Sequence, residues 1–458
     1  MSDISTFPAA SAAPTPRPSR GRADPAARER ARAARRALLL DSEPPRLSGR
    51  LSALRQSSGA VFADVNAGGR LAQACALPPS PAFAVLGGSR LGDWVELEGA
   101  WGDTRAGDRA LFASDARLVA RCEPGFPPWS EPMAEDAARA RPDWARASDP
   151  RRLGRAHARF SAVAALRGWA AARGLLEAIT PILSEEPSGA MARPFWTRSH
   201  ALDRDLALRV APENALARLL CSGFEALYEI GPSFRNEGSS RRHHPEFLMM
   251  EAYRVGWSAR DAYEACEEAL RVFWAELGWG PLGAVRHMEI EEALSAFGCP
   301  EAALGSPRAL REWIDAAGGS IPESASLVEL RWAALDLCEP PVDPCAVWGH
   351  PPGLSPLAAS RPGSPDACER FELYVGGWEV GNGYEQLRDA AVQRARFEQQ
   401  ARLAGSGAEA MGQDLGYLDA MALGMPRFSG FGLGLDRLCA LAAGVSIREA
   451  LPFPLAGG

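Results

Sequence analysis

YEIGPSFRNEGSSRRHHPEFLMMEAYR, residues 228–254, holds two apolar runs separated by a charged loop. Leu227, Tyr228 and Ile230 alternate as in a strand that continues or restarts through Phe234 to Glu237. Gly238 to Pro245 is an arginine-rich loop, and Glu246 to Tyr253 reads as the returning antiparallel strand. On that strand a period of two puts Phe247, Met249, Glu251 and Tyr253 on one face and Glu246, Leu248, Met250 and Ala252 on the other. One face thus offers an aromatic plate, a carboxylate and a phenol in a row. On the first strand Arg235 and Glu237 share a face, which sets a guanidinium able to grip phosphate or carboxylate beside an acid. In isolation, a salt-bridged hairpin over a core is the simpler account of the same residues.

Two further stretches repeat this kind of arrangement. In FELYVGGWEVGNGYEQL, Phe371 to Leu387, the pair Gly376-Gly377 is a two-residue hairpin signal. That register sets Glu372 against Gly381 and Tyr374 against Glu379, so both carboxylates fall on one face as diagonal neighbours. They repel unless a cation lies between them, and hard oxygen ligands suit Mg²⁺ carrying nucleotide phosphates. In that register Asn382 lies on the opposite face unless the glycines around it form a bulge. In SGFGLGLDRL, Ser429 to Leu438, glycines at alternate positions bare one face of a strand, so that a nucleotide can lie flat on it, with Arg437 just beyond.

Arg235-Asn236-Glu237, a short loop, His243-His244-Pro245-Glu246-Phe247 and then Met249-Met250-Glu251-Ala252-Tyr253 resemble the second signature motif of class II aminoacyl-tRNA synthetases. The wording is that of the lysyl-tRNA synthetases and their paralogue, the lysine ligase that modifies elongation factor P. Residues 150–181, a helix, a glycine and a strand closing on Pro181, resemble motif 1, which in the family builds a homodimer interface; residues 429–438 resemble motif 3. The resemblance runs over roughly residues 46–458 with its motifs in order. It implies an α+β fold, the class II antiparallel sheet flanked by helices and preceded by a small OB-fold β-barrel. It also implies activation of an amino acid by ATP with Mg²⁺, and transfer to tRNA.

Residue by residue, the resemblance puts Arg235, Glu237, His243, Phe247, Glu372, Glu379 and Arg437 around ATP, with Arg235 and Arg437 as the catalytic pair and Glu372 and Glu379 on the metal. Gly189, Glu213, Glu251, Tyr253, Asn382, Tyr384 and position 386 fall in the amino-acid pocket, Glu213 on the α-ammonium group and Asn382 on the carboxylate. At 386 the family has a glutamate that meets the ε-ammonium of lysine, whereas this chain has Gln386. Loss of that counter-charge from a closed pocket costs on the order of several kcal/mol, so either Glu385 swings in or the pocket prefers a differently charged side chain. Other departures are Ala217 for a lysine before Arg218 and His244 for an asparagine.

Short strands spaced through Arg46 to Cys122 suggest the barrel, with Phe62 placed to stack an unpaired tRNA base. The family's glutamine reader falls on Ala72, with Gln73 displaced by one and expected to face the other way. The expected domains are a disordered basic extension over 1–44, the barrel over 45–124, a linker over 125–149, and the catalytic domain over 150–458 with a helical insertion at about 256–340. A net charge of −7 on 458 residues excludes a whole-chain basic footprint, so any nucleic-acid contact is a local patch. Nine scattered cysteines without a Cys-x-x-Cys pair read as reduced thiols. With no signal peptide and no membrane-spanning run, they point to the cytoplasm.

All 50 basic residues are arginine. Codon bias in an Ala/Gly/Pro/Arg-rich chain accounts for much of this; a second account is that an enzyme making an acyl adenylate gains by displaying no ε-amines. Three outcomes follow: a tRNA ligase, a paralogue that acylates another acceptor such as a protein amine, or a non-catalytic nucleotide or tRNA sensor. Gln386, Ala72 and the missing lysines lean towards the second, the barrel towards the first.

Overall fold

The computed structural model describes residues 45–57, 59–123, 149–186, 189–238, 240–278, 280–319, 321–323, 325–405 and 413–455. The expected basic extension, nearly all of the expected linker and Ser188 lie outside these residues. The chain divides into two compact units, Met1–Glu131 and Pro132–Gly458.

The first unit is a closed barrel of β1 (Arg46–Gln56), β2 (Val61–Ala67), β3 (Arg70–Ala76), β4 (Trp94–Asp103) and β5 (Arg109–Ala120), in the order β1-β2-β3-β5-β4 with β4 pairing back onto β1. Leu47, Leu51, Val65, Ala72, Val95, Leu97 and Leu111 fill its interior. This arrangement is that of an OB-fold. The register corrects one expectation. Phe62 pairs with Cys75 and Asp64 with Gln73, so Gln73 is on the same outer face as Phe62, and Ala72 is the residue turned into the core. Counting from the Gly-Gly turn misplaced the glutamine; counting along the paired strands restores it. Phe62 is half-buried and packs with Phe112 over Ala60, Cys75 and Ala110.

In the second unit, β6 (Leu176–Glu177) follows the helix Pro150–Ala172. The small strands β7 (Leu183–Ser184), β8 (Trp196–Ser199) and β9 (Arg204–Leu208) form a separate sheet. Then come β10 (Ala226–Phe234), β11 (Glu246–Val255), β12 (Arg286–Glu289), β13 (Cys345–Trp348), the β14–β15 ribbon (Ser360–Arg361, Ser364–Cys368), β16 (Arg370–Val375), β17 (Trp378–Glu385) and β18 (Phe428–Gly434). The main sheet has eight strands in the order β12-β13-β16-β17-β18-β11-β10-β6, antiparallel except for its two edge pairs.

Period-two patterning decides which face each strand buries. Met250, Ala252, Phe371, Leu373, Val380, Phe431 and Leu433 enter one core with the helices Pro150–Ala172, Ala259–Glu276 and Leu435–Ala443. The opposite face carries the acids and arginines. The helix Ala259–Glu276, placed within the insertion by its sequence, belongs to this main core. The helices Ile290–Ala296, Glu301–Leu304, Pro307–Ala316 and Leu327–Asp336 pack around a core of their own. The first strand of the hairpin also stops earlier than expected: β10 ends at Phe234, and Arg235 and Glu237 stand in the loop.

Candidate active site

Two lobes open on the exposed face of the main sheet and share one wall, formed by Arg235, Met249, Glu379, Asn382 and Gly432. Arg437, His243, Phe247 and Glu237 line the first lobe only; Glu213, Glu251, Tyr253, Tyr384, Glu372 and Gly189 line the second only. Residues more than 240 positions apart in the extreme case thus meet in one cavity, because β11, β17 and β18 lie side by side.

The shared wall depends on a bulge. Tyr374 pairs with Glu379, but Leu373 pairs with Gly381 and Glu372 with Asn382, which leaves Val380 as the extra residue of β17. The unbulged register expected Glu372 opposite Gly381; the extra residue moves Asn382 into that place and onto the face of Glu379. There the Asn382 amide donates to Glu379 Oε1 at 3.1 Å. Gly376 and Gly377, with φ of 60° and 75°, make the tight turn that only residues tolerant of positive φ form.

In the first lobe Arg437 and Glu379 are already paired. Arg437 Nη1 donates to the Glu379 carbonyl at 2.8 Å and to its carboxylate Oε2 at 3.2 Å. The Arg235 guanidinium lies over the Phe247 ring, 5.2 Å from its centre, and its buried Nε has no partner. Glu237 accepts from the Arg193 backbone N–H at 3.3 Å. Burial, followed by the nearby Arg437, lowers the His243 pKa, so this ring is neutral and serves as a hydrogen-bonding group; its Nδ1 lies 2.8 Å from Ser240 Oγ. His244 is buried, with Nε2 accepting from the Leu455 N–H at 3.1 Å.

Glu372, in the second lobe, is ringed by groups the sequence reading did not single out. Arg370 donates to Oε1 at 2.7 Å, the Tyr374 hydroxyl to Oε2 at 2.6 Å, and His350 Nε2 lies 3.0 Å from Oε1. Burial alone would raise the Glu372 pKa, but His350, Arg370 and Tyr374 outweigh it and hold the carboxyl well below its ordinary range. Arg370, Glu372 and Tyr374 alternate on β16, so the period of two offered a signal for that trio; His350, stacked on Trp332 at 3.6 Å, comes from another segment and offered none. Asp436 was missed as well. It accepts from the Leu248 N–H at 2.7 Å and from Arg159 Nε at 2.8 Å, tying β11 beside Phe247 to the helix Pro150–Ala172.

Glu213 and Glu251, the other acids of the second lobe, are in the opposite condition. Glu213, at the start of the helix Glu213–Cys221, accepts from the Tyr384 hydroxyl and from the Gln386 amide. Burial raises its pKa to about 7, with those two bonds and Arg370 opposing. Glu251 accepts from the Tyr253 hydroxyl at 3.0 Å, and burial and then Glu213 raise its pKa to about 8. Glu229, opposite Glu251 in register, is neutralised by Arg209 at 2.5 Å, with the Thr180 hydroxyl donating to its other oxygen. Gly189, at φ 96°, lies close beneath Ala211 and Glu213; a Cβ there would sit 3.3 Å from Ala211 Cβ. Glu385 points elsewhere, held by two bonds from Arg427 at 2.9 and 2.7 Å, which removes the expectation that it swings into the pocket. Gln386 is fully buried and does not line the lobe.

The alternate glycines of β18 divide their work. A Cβ on Gly430 would sit 2.0 Å from the Tyr253 ring, so this glycine makes room for the tyrosine and not for a nucleotide. Gly432 and Gly434 form the bare floor of the first lobe. Among the described residues no group of three or more His, Cys, Asp or Glu side chains is placed to hold a metal ion. Glu372 and Glu379 together line the second lobe, an arrangement that fits a hard cation sharing its remaining positions with phosphate oxygens.

Comparison with known proteins gives one family. Residues 136–457 match the family described as tRNA synthetases class II (D, K and N). The lysine--tRNA ligase of Variovorax paradoxus is 36% identical over 392 residues, which cover 80% of this chain and 74% of that protein. The lysine--tRNA ligase of Xanthomonas oryzae pv. oryzae is 34% identical over 440 residues, 89% of this chain and 85% of that one. The lysylphosphatidylglycerol biosynthesis bifunctional protein LysX of Mycolicibacterium vanbaalenii is 36% identical over 399 residues; this match covers 80% of the chain but only 35% of LysX.

Proposed function

Because the chain belongs to the class II tRNA synthetases of the aspartate, lysine and asparagine group, we propose that it activates lysine with ATP and transfers the lysyl group to tRNA. The observation that carries this reading is the wall of Arg235, Glu379 and Asn382 facing both lobes. An amino acid in one lobe and a triphosphate in the other meet there. Asn382 and Arg235 hold the substrate carboxylate, whose oxygen attacks the α-phosphorus. The bond from that phosphorus to the bridging oxygen breaks, and pyrophosphate leaves with the electron pair. Arg235 and Arg437 bear on the phosphates, with His243 as a neutral donor and Phe247 beneath the adenine. No side-chain nucleophile takes part; positioning and charge neutralisation supply the rate.

Glu372 and Glu379 would hold magnesium, which when bound would supply charge neutralisation to the triphosphate. Arg370, Tyr374 and His350 keep Glu372 aimed and ionised for that role. In the second half-reaction a terminal ribose hydroxyl of tRNA attacks the acyl carbon and AMP departs. Phe62, half-buried on the outer face of the barrel beside the buried Gln73, is the residue proposed to meet an unpaired tRNA base. Lysine is supported by Glu213 and Glu251, two buried acids with no cation of their own.

A homodimer is supported by the apolar residues left in solvent along the motif 1 segment, Phe160, Leu176 and Ile179 (94% exposed), and just after it, Ile182 and Leu183. Among the described residues no helix is long and apolar enough to cross a membrane, and the proposed setting is the cytoplasm. Pyrophosphate exchange across a panel of amino acids, followed by charging of bulk tRNA, tests the reading. Lysine-dependent exchange with lysyl-tRNA formation is expected; exchange with no amino acid overturns it. A second reading, transfer to a protein amine, is favoured by the complete absence of lysine among 50 basic residues. It predicts exchange without tRNA charging, and labelled lysine recovered in an added protein.

A further inference from the structure

The family resemblance makes position 386 a substrate contact, but the side chain found there faces the protein. Gln386 is fully buried, and its amide nitrogen donates to Glu213 Oε1 at 3.2 Å and to the Tyr417 hydroxyl at 2.8 Å. Its amide oxygen has no partner, and the residue is absent from the lining of the amino-acid lobe. Tyr417 is itself fixed: it is fully buried in the helix Leu415–Ala422, whose N-cap Asp414 bonds Asn214 and Arg218 of the helix that carries Glu213. We propose that Gln386 is a positioning residue that holds Glu213 from behind, and that the lobe takes a diamino acid whose two ammonium groups meet Glu213 and Glu251 without touching Gln386. The substrate class named here rests on the proposed function; the role of Gln386 does not.

The chemistry of the neighbourhood favours an amide at this place. Glu213 is faced by Tyr384 from β17, Gln386 just beyond that strand, Tyr417 from the helix Leu415–Ala422, Arg370 from β16, and Glu251 and Tyr253 from β11. Arg370 is the one cation among them, and it already donates to Glu372 at 2.7 Å. Glu213 therefore depends on neutral donors. An amide N–H supplies one; a carboxylate in its place has no hydrogen to give unless protonated, and adds a further acid against Glu213.

The two roles predict opposite signs for one substitution. If Gln386 faced the substrate, Gln386→Glu would add a counter-ion and lower the KM for lysine. If it holds Glu213, Gln386→Glu and Gln386→Met both remove a donor and shift the acid limb of the pH profile upward. The experiment is lysine-dependent pyrophosphate exchange at saturating ATP from pH 6 to 9 for wild type and both variants. The expected result is a midpoint shift of about one unit and about tenfold lower kcat/KM at pH 7 in each variant, with the curves converging at high pH. An unmoved midpoint, or a lower KM in Gln386→Glu, overturns the inference. Should the wild type show no exchange, the functional reading fails by itself. The inference is then judged from the Glu213 carboxyl resonance in ¹³C-labelled protein, which must titrate at higher pH in both variants.

Discussion

Two parts of the cavity handle charge in contrary ways. Where Glu379 and Glu372 stand, each of these acids already has a cation: Arg437 for Glu379 on the shared wall, and Arg370 for Glu372 in the second lobe. In the amino-acid lobe Glu213 and Glu251 are buried with hydroxyl and amide donors only, and their pKa values climb to about 7 and 8. The first region is organised before anything binds, so its side chains need little rearrangement to receive a polyanion. The second is left in want of positive charge, so a ligand that brings two ammonium groups relieves a cost the empty protein bears.

The sharpest way to break this contrast is to empty the first lobe of a fixed charge. Arg437→Ala is expected to lower kcat/KM for ATP in pyrophosphate exchange by about 10³-fold while circular dichroism is unchanged, because it removes a phosphate contact and unpairs Glu379. In the other lobe, Glu251→Gln is expected to cost about 10²-fold in kcat/KM for lysine, roughly 3 kcal/mol, with the KM for ATP within about twofold. An equal loss for both substrates would erase the distinction between the lobes.

A smaller effect comes from protons. The ammonium groups of the substrate require carboxylates, so lysine affinity should rise by well over tenfold per unit near pH 6, where both acids are protonated, and by about tenfold per unit nearer pH 8, with up to two protons released on binding. Calorimetry in buffers of different ionisation enthalpy measures this. Stability runs the other way. Both acids have folded pKa values above the ordinary range, so the ligand-free chain holds more protons folded than unfolded. Its melting temperature should fall as pH climbs from the ordinary carboxyl range towards about 7 and 8 and level off above, and lysine should restore it most at the upper end. The smallest effect belongs to Glu385→Gln, expected within about twofold of wild type, because this residue pairs with half-exposed Arg427 outside both lobes.

Much of this was legible in the sequence wherever a residue's role depends on its own strand. The alternation in Glu246–Val255 predicts which side chains line the cavity, and Gly376-Gly377 predicts the turn. Reading failed where position depends on counting across a turn. Counting from the Gly-Gly turn puts Gln73 on the other face, whereas its pairing with Asp64 sets it on the side of Phe62. It also failed where partners come from other segments: nothing near Glu372 in the chain announces His350, and nothing near Gln386 announces Tyr417. Gln386 looked like a lost counter-ion because sequence shows what a residue is and not which way its side chain turns.

Val380, the unpaired residue of β17, bears on how this segment tolerates changes of length. Deleting Val380 alone would turn the bulge into plain alternation: Glu379 and Asn382 would stand two residues apart and stay on one face, with Gly381 taking the core side. Deleting a residue beyond the bulge, such as Gly383, would instead turn Tyr384 away from the face it shares with Asn382. A library of single-residue deletions across Trp378–Glu385 is therefore expected to retain most activity where Val380 is the residue removed.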